Sequence, residues 1–377
     1  AACALRLARC GVAVTVLERT RFPRRKVCGE YLNAGALDAF EELELGSSVR
    51  AAGRLLSGVR LVTPSIEPIE LRFPAATYAL ARERLDALLL DAAVAAGAGL
   101  LQGRVEDVVR DGDRVCGVRA RDESGAPFEV RARFVVGADG SGSVVARKLG
   151  LARRPSGTRR FALGGHYQGF DDLGGFVEMH VGRGTYFALN PLPGGQTNVM
   201  VVVREAQLAA WSHAVDEGVH GAATTLSRGG RSFAGVRRIG PRASIGPLAF
   251  GVRAVVRPGA LLAGDAAGFL NPFTGQGVPL ALRGGIDAAA AIGDALDRRS
   301  REPAAFARYA TKRARDFGGR SSVARAVDVL IDVPLLARRA AARLRRSPEL
   351  GEALMSALSG SAPQNARLDA SFARLLI

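Results

Sequence analysis

Asp265 stands at the end of the short apolar run Leu261-Leu262-Ala263-Gly264. A Pro- and Gly-rich bend follows, Asn271-Pro272-Phe273-Thr274-Gly275-Gln276-Gly277, and then an apolar helix. An ionised carboxylate in that position can accept hydrogen bonds from several hydroxyls at once. Gly264, Gly275 and Gly277 can bring backbone N–H donors against a polar ligand with no side chain between. A second instance of the pattern is Phe134-Val135-Val136 running into Gly137-Ala138-Asp139-Gly140, and a third acid, Glu18, ends the apolar run Val12 to Leu17. A strand that ends in an acid and feeds a glycine turn before a helix is how α/β proteins hold polar ligand groups. A plain strand-loop-helix connection, a turn aspartate at 139 and a solvated strand-end acid at 18 would look the same taken singly.

The elements that must position these acids can be read along the chain. Residues 1–10 form an Ala-rich helix stopped by Gly11, and 12–17 a strand. An acid ending a second Rossmann strand lies ~20 residues after a G-x-G-x-x-G turn. Counting back from Glu18 puts that turn just ahead of residue 1, so the expectation is a Rossmann-type unit whose first strand and phosphate loop precede Ala1. A basic loop, Arg21 to Lys26, leads into Val27-Cys28-Gly29-Glu30 and a helix, residues 55–73 alternate as strands, and 78–98 read as a helix with Leu85, Leu88 and Leu89 on one face. Residues 100–136 read as a strand meander. Residues 160–250 are β-rich, with a hairpin about Pro193-Gly194-Gly195. From about 300 the chain is helical and Arg-rich. The fold class expected is α/β, a Rossmann-type domain with a β-rich substrate domain and a helical C-terminus. The first would take residues 1–54, 78–158 and 251–300, the second 55–77 and 159–250, and the third 301–377.

Composition narrows the function. The 377 residues suffice for two or three packed units, and 48% hydrophobic content is ample for a core. The net charge of +16 comes from arginines spread along the whole chain, with Lys26, Lys148 and Lys312 the only lysines. Nucleic-acid binding would call for basic clusters interleaved with aromatics, which this chain lacks. Cys3, Cys10, Cys28 and Cys116 form no C-x-x-C pair, and no His lies at zinc spacing, so no metal is expected. The uncharged runs are broken by Pro and Gly, which argues against a membrane span. A reducing, cytoplasmic setting is expected. The Arg-rich stretch 338–346 is either a solvated helix face or a point of peripheral membrane contact.

Taken in order, these segments resemble the FAD-dependent oxidoreductases of the p-hydroxybenzoate hydroxylase-type fold, and within them the geranylgeranyl reductase-like branch with its flavin monooxygenase and halogenase relatives. Four matches carry the resemblance: the helix-strand ending at Glu18, Arg82-x-x-Leu85-Asp86, Gly137-Ala138-Asp139-Gly140, and Gly264-Asp265 with Pro272 to Gly277. The resemblance implies FAD as cofactor, held by Glu18, Arg25, Arg82, Asp139, Gly264, Asp265, Pro272, Gly275, Gln276 and Gly277. Glu18 would serve the adenosine ribose and Asp265 the ribityl hydroxyls. The helix starting near Gly277 would point its positive end at the ring edge that gains charge on reduction. Cys28 would lie near the flavin, as a cavity-lining candidate or a small packed thiol.

The chain departs from its relatives in places. Its only Trp is Trp211, so the W-x-W-x-I-P signature of tryptophan halogenases is absent, which argues against halogenation. Gly268 stands where many aromatic hydroxylases carry His, and Gln276 replaces an acid common in the reductase-like branch. His166, His180, His213 and His220 form no recognisable triad, so structural or exposed roles are expected. The reading is an enzyme that uses FAD, with NADPH or another electron donor, on an apolar small molecule. Reduction of a C=C bond is favoured, monooxygenation of a polyketide or aromatic is the alternative, and a non-catalytic nucleotide- or lipid-binding protein is the reading from another class.

Overall fold

The computed structural model describes residues 1–63, 66–153, 159–170, 173–182, 184–217, 235–248, 250–269, 272–297 and 301–359. Asn271, His220 and residues 360–377, all part of the sequence reading, lie outside the described residues, as does the side chain of His213.

The chain folds as a mixed α/β protein with one large β-sheet and a helical C-terminus. Helix α1 (Ala2–Arg9) buries Ala2, Ala4, Leu5 and Leu7. It ends before Gly11, whose φ of 73° is the left-handed turn a glycine takes without strain. Strand β1 (Thr15–Glu18) follows. After the basic loop come the two-residue strand β2 (Tyr31–Leu32), helices α2 (Ala34–Glu42) and α3 (Gly46–Ala52), and the long hairpin β3 (Arg54–Thr63) and β4 (Ile66–Ala79). Helix α4 (Arg82–Ala95) returns the chain to β5 (Gly99–Gln102), which pairs parallel with β1 so that Glu18 lies opposite Gln102. The meander β6 (Arg104–Asp111), β7 (Arg114–Arg121) and β8 (Pro127–Arg131) leads to β9 (Val135–Gly137) and α5 (Val144–Lys148).

The β-rich stretch then contributes β10 (Ala152–Arg153), β11 (Arg160–Gln168), β12 (Phe176–Gly182), β13 (Thr185–Pro191), β14 (Thr197–Arg204), helix α6 (Leu208–Glu217) and β15 (Arg237–Ile245). Short strands β16 (Gly251–Val252) and β17 (Val256–Arg257) precede β18 (Ala260–Leu262). Four helices close the described chain: α7 (Gly277–Leu296), α8 (Glu302–Asp332), α9 (Pro334–Arg346) and α10 (Pro348–Ser359).

Eight strands join in the order β15-β11-β14-β13-β12-β3-β4-β2. The run Thr197 to Val203 is buried throughout, because this strand is covered on both faces. Met200 and Val202 face a core shared with Val327 and Ile331 of α8, Leu344 of α9 and Met355 of α10. Val199, Val201 and Val203 face a second core with Leu163, Phe187 and the partly buried Trp211. The period of two thus places alternate residues of one apolar run in different cores. Each such side chain contributes ~1.5–3 kcal/mol on burial.

Two features position the site. Strand β18 lies parallel to β9, with Leu262 opposite Gly137 and the Ala263 N–H donating to the Gly137 carbonyl at 2.9 Å. The two Gly-Asp turns therefore leave the same edge of one small sheet, although they lie far apart in sequence. In addition, β2 crosses from the loop after β1 to pair antiparallel with β4, at the edge of the large sheet. Residues 25–33 thereby connect the two halves of the molecule.

Candidate functional site

Gly264 (φ 59°), Gly268 (φ 118°) and Gly275 (φ 64°) are the positive-φ glycines of the bend between β18 and α7. They let the backbone reverse twice in a span that side chains would block. At Gly275 the approach is closest, since a Cβ would meet the Tyr31 ring at 2.6 Å. Pro272 begins a single 3₁₀ turn, Pro272 to Thr274, and Gln276 precedes α7 without a side chain capping its first N–H groups. Gln276 is buried. Its Nε2 donates to the Leu358 carbonyl at 2.5 Å, while its Oε1 has no partner. Gly264, Asp265, Gly268 and Gly277, together with Phe269, Leu280 and Arg313, line a small hollow.

Arg313 on α8 was not anticipated from sequence, because an arginine on a long Arg-rich helix carries no local signal of burial. Its Nη2 donates to the Gly264 and Gly268 carbonyls at 3.4 and 3.3 Å, whereas Nε and Nη1 are buried without partners. Burial holds this guanidinium below the usual arginine range, against the pull of Tyr309 and Asp265.

The other expected cofactor residues form a chain of charges leading to Asp265. Glu18 accepts from the Thr20 N–H at 3.0 Å and lies 3.8 Å from Arg24, and Arg24 lies 3.5 Å from Asp86. Asp86 holds Arg82 through both oxygens, at 2.8 and 2.9 Å from Nη2, the i,i+4 pairing that a helix face allows. The Cys28 Sγ accepts from the Glu30 N–H at 3.4 Å. Lys26 Nζ lies 3.9 Å from Asp265 Oδ2. Burial, reinforced by the Arg82 charge, holds the Lys26 ammonium below the usual lysine range, against the pull of Asp265 and Asp86.

Two residues from the sequence reading stand apart from this chain. Asp139 is exposed and caps α5, accepting from the Ser143 hydroxyl at 2.5 Å and from the Val144 N–H at 2.6 Å. Arg25 leans toward β15, where its Nη1 donates to the Ile239 carbonyl at 3.5 Å and its Nε lies 3.6 Å from Glu83.

A second, larger cleft opens between the 25–30 loop and the large sheet, lined in part by Val27, Cys28, Glu30, His166, Met200 and Ala243. Two asparagines fix the loop to the sheet. Asn198 Nδ2 donates to the Cys28 carbonyl at 2.6 Å, and Asn190 Nδ2 to the Gly29 carbonyl at 2.7 Å. Glu30 has a φ of 56° and is 4% exposed. Its Oε1 accepts from the Arg82 N–H at 2.8 Å, and its Oε2 lies 2.7 Å from His166 Nε2. Sequence reasoning missed both residues as a pair and assigned His166 a structural or exposed role. His180, by contrast, is buried against Glu178 at 2.7 Å and stacks near Phe187 at 5.2 Å, away from the cleft.

These residues fit a flavin cofactor. The glycine bend, the uncapped start of α7 and the Asp265 carboxylate together offer donors and acceptors beside the hollow. No helix of the described residues is long and apolar enough to cross a membrane. Arg338, Arg339, Arg345 and Arg346 of α9 are exposed.

Residues 1–317 match the family model described as FAD binding domain. The chain is 26% identical over 305 residues to a 1H-pyrrole-2-carbonyl peptidyl-carrier-protein brominase of Pseudoalteromonas luteoviolacea, covering 78% of this chain and 75% of the brominase. It is 27% identical over 352 residues to a menaquinone reductase of Mycolicibacterium smegmatis, covering 87% and 80%. The solved structure of a flavin-dependent brominase superposes with a TM-score of 0.84 at 23% identity, covering 99% of this chain and 94% of that one.

Proposed function

The chain belongs to the FAD-binding-domain family of flavin-dependent oxidoreductases, and from that premise we propose that it reduces a C=C bond in an apolar small molecule, isoprenoid-like or polyketide-like. The observation that carries this reading is the cleft beside Cys28 and Glu30. Val27, Met200, Pro241 and Ala243 give it apolar walls beside the charged Arg25, Lys26, Glu30 and Glu83, which would suit an apolar molecule that carries a polar group. The match to a menaquinone reductase over most of both chains supports reduction.

Bound FAD would supply hydride or oxygen chemistry at its ring. The protein's part is to bind and orient. Asp265 would accept from ribityl hydroxyls, and Lys26 would temper its charge. The first turn of α7 would place uncapped N–H groups beside the ring edge that gains negative charge. Asn190 and Asn198 would keep the Cys28 to Glu30 segment against the sheet, so that cofactor and substrate sites share one wall. NADPH is the proposed electron donor, with another reductant as the alternative.

A second reading, oxygen-dependent monooxygenation or halogenation, is favoured by the brominase match. One experiment separates the two. The flavin-loaded protein, reduced by NADPH or dithionite under strict anaerobiosis, is given candidate alkenes, and products are read by mass spectrometry. The reductive reading expects a gain of two hydrogens without air. A product that forms only in air and carries oxygen or halogen would overturn it.

A further inference from the structure

His166 and Glu30 come from opposite sides of the cleft and from segments 136 positions apart. His166 leaves β11 where the pairing with β15 slips, between Gly164 and His166, and such an irregularity re-aims a side chain. Its strand partner on the other side is Asn198, the residue that holds the Cys28 carbonyl. Glu30 in turn is fixed by the Arg82 N–H and by a left-handed backbone conformation, which a non-glycine residue keeps only when its surroundings demand it. A carboxylate can only accept, so the 2.7 Å contact places the hydrogen on His166 Nε2. That leaves Nδ1 as the nitrogen able to exchange a proton with whatever occupies the cleft. Among the described residues, Nδ1 has no hydrogen-bond partner.

We propose that His166 is a catalytic proton donor to the substrate, with Glu30 as the residue that positions it, and that the substrate is an alkene conjugated to a carbonyl group. This rests on the reductive reading. Atoms and electrons balance as follows: the donor is the imidazolium, whose Nε2–H stays on Glu30 while its Nδ1–H bond breaks, a C–H bond forms at the carbon next to the carbonyl, and the hydride that completes the two-electron reduction comes from the reduced flavin, which is oxidised. Water at the mouth of the cleft returns the proton to the imidazole. The acid strength decides the substrate class. An imidazolium is far too weak an acid to protonate an isolated alkene, but it can protonate the enolate carbon left after hydride addition to a conjugated one. A simple isoprenoid chain is therefore disfavoured and an enone-type polyketide favoured.

The test uses the full flavin-loaded protein and its His166→Gln and Glu30→Gln variants. In deuterated water the parent should place one deuterium at the carbon next to the carbonyl, with a single configuration. His166→Gln should turn over ~10²–10⁴-fold more slowly and give both configurations, because solvent then delivers the proton from either side. A readout independent of turnover is the imidazole nitrogen spectrum of the flavin-free protein. At a pH high enough for the ring to be neutral, the parent should show the Nε2–H tautomer at His166, and Glu30→Gln should lose that preference. The proposal is overturned if His166→Gln reduces a conjugated ketone within twofold of the parent and with one configuration, or if the parent shows the Nδ1–H form. Failure of the parent to reduce any alkene without air would instead count against the reductive reading and, with it, this step. The His166 spectrum would still report whether the pair is built as described.

Discussion

Gln276 donates from Nε2 to the carbonyl of Leu358 at 2.5 Å, joining the bend before α7 to the end of α10. Asn33 Nδ2 reaches the same carbonyl at 3.4 Å. The C-terminal helices are thus tied directly to the bend proposed to hold the cofactor. Replacing Gln276 by Ala should remove a net ~0.5–1.5 kcal/mol and loosen α10 locally. Amide exchange across Pro348 to Ser359 should accelerate severalfold while β13 and β14 keep their protection. Unchanged exchange in α10 would show that its apolar packing alone holds it.

Asp265→Ala should weaken FAD binding about tenfold to a hundredfold, since each charge-assisted hydrogen bond lost is worth ~1.5–3 kcal/mol. Quenching of flavin fluorescence on titration reads this directly. Equal affinity in parent and variant would remove Asp265 from the cofactor site.

Gly275→Ala tests the bend itself. The residue sits at φ 64°, and a Cβ would lie 2.6 Å from Tyr31 Cδ1. A left-handed alanine costs roughly 1–2 kcal/mol before any clash is counted. Tyr31→Ala should relieve only the clash, so the double variant should be more stable than the sum of the single losses implies. Urea denaturation of the four proteins measures this coupling, and strict additivity would mean that the ring yields freely.

Burial pushes the Cys3 thiol up to about 11 from 9.0, whereas Cys10 is exposed. At pH 8, iodoacetamide should therefore modify Cys10 and leave Cys3 intact, as peptide mass mapping would show. The pH dependence follows in sign. A folded pKa above the unfolded one means that Cys3 contributes its full stability below about pH 9, and this contribution is lost as pH rises through about 11. Cys3→Ala should flatten the stability curve in that window and nowhere else. Early labelling of Cys3 would contradict its partly buried place against α7 and α8.

Much of this arrangement was legible in the chain because it is local. A short apolar strand, an acid and a glycine turn leave a signature within ten residues, so both Gly-Asp turns and the strand ending at Glu18 could be read directly. The Arg82–Asp86 pair follows from helix spacing. What sequence did not reveal depends on long-range pairing. His166 sits in Gly164-Gly165-His166-Tyr167, an ordinary strand pattern, and nothing near it marks Glu30 as a partner. Strand β2 is two residues long, too short for any period to register. The unpaired nitrogens of Arg313 are likewise set by the turn of a helix whose sequence is arginine-rich on every side.

The packing of α1 against α7 also bears on how the molecule comes into being. Ala2 and Gly285 touch, with a Cβ at Gly285 only 3.2 Å from the Ala2 Cβ, and β9 gains its neighbour only when β18 has been made. At ~5–20 residues per second, a nascent chain holds α1 without its partner for roughly fifteen seconds to a minute. Through that interval Leu5 can already pack against α2 and α4, whereas Leu7 still lacks its neighbours Ala288 and Ile292 on α7. The packing of α1 is therefore completed in two stages, first on α4 and then on α7. Loading of the cofactor becomes an event that follows synthesis of α7, so flavin supply would limit the yield of finished protein and leave its rate of synthesis unchanged.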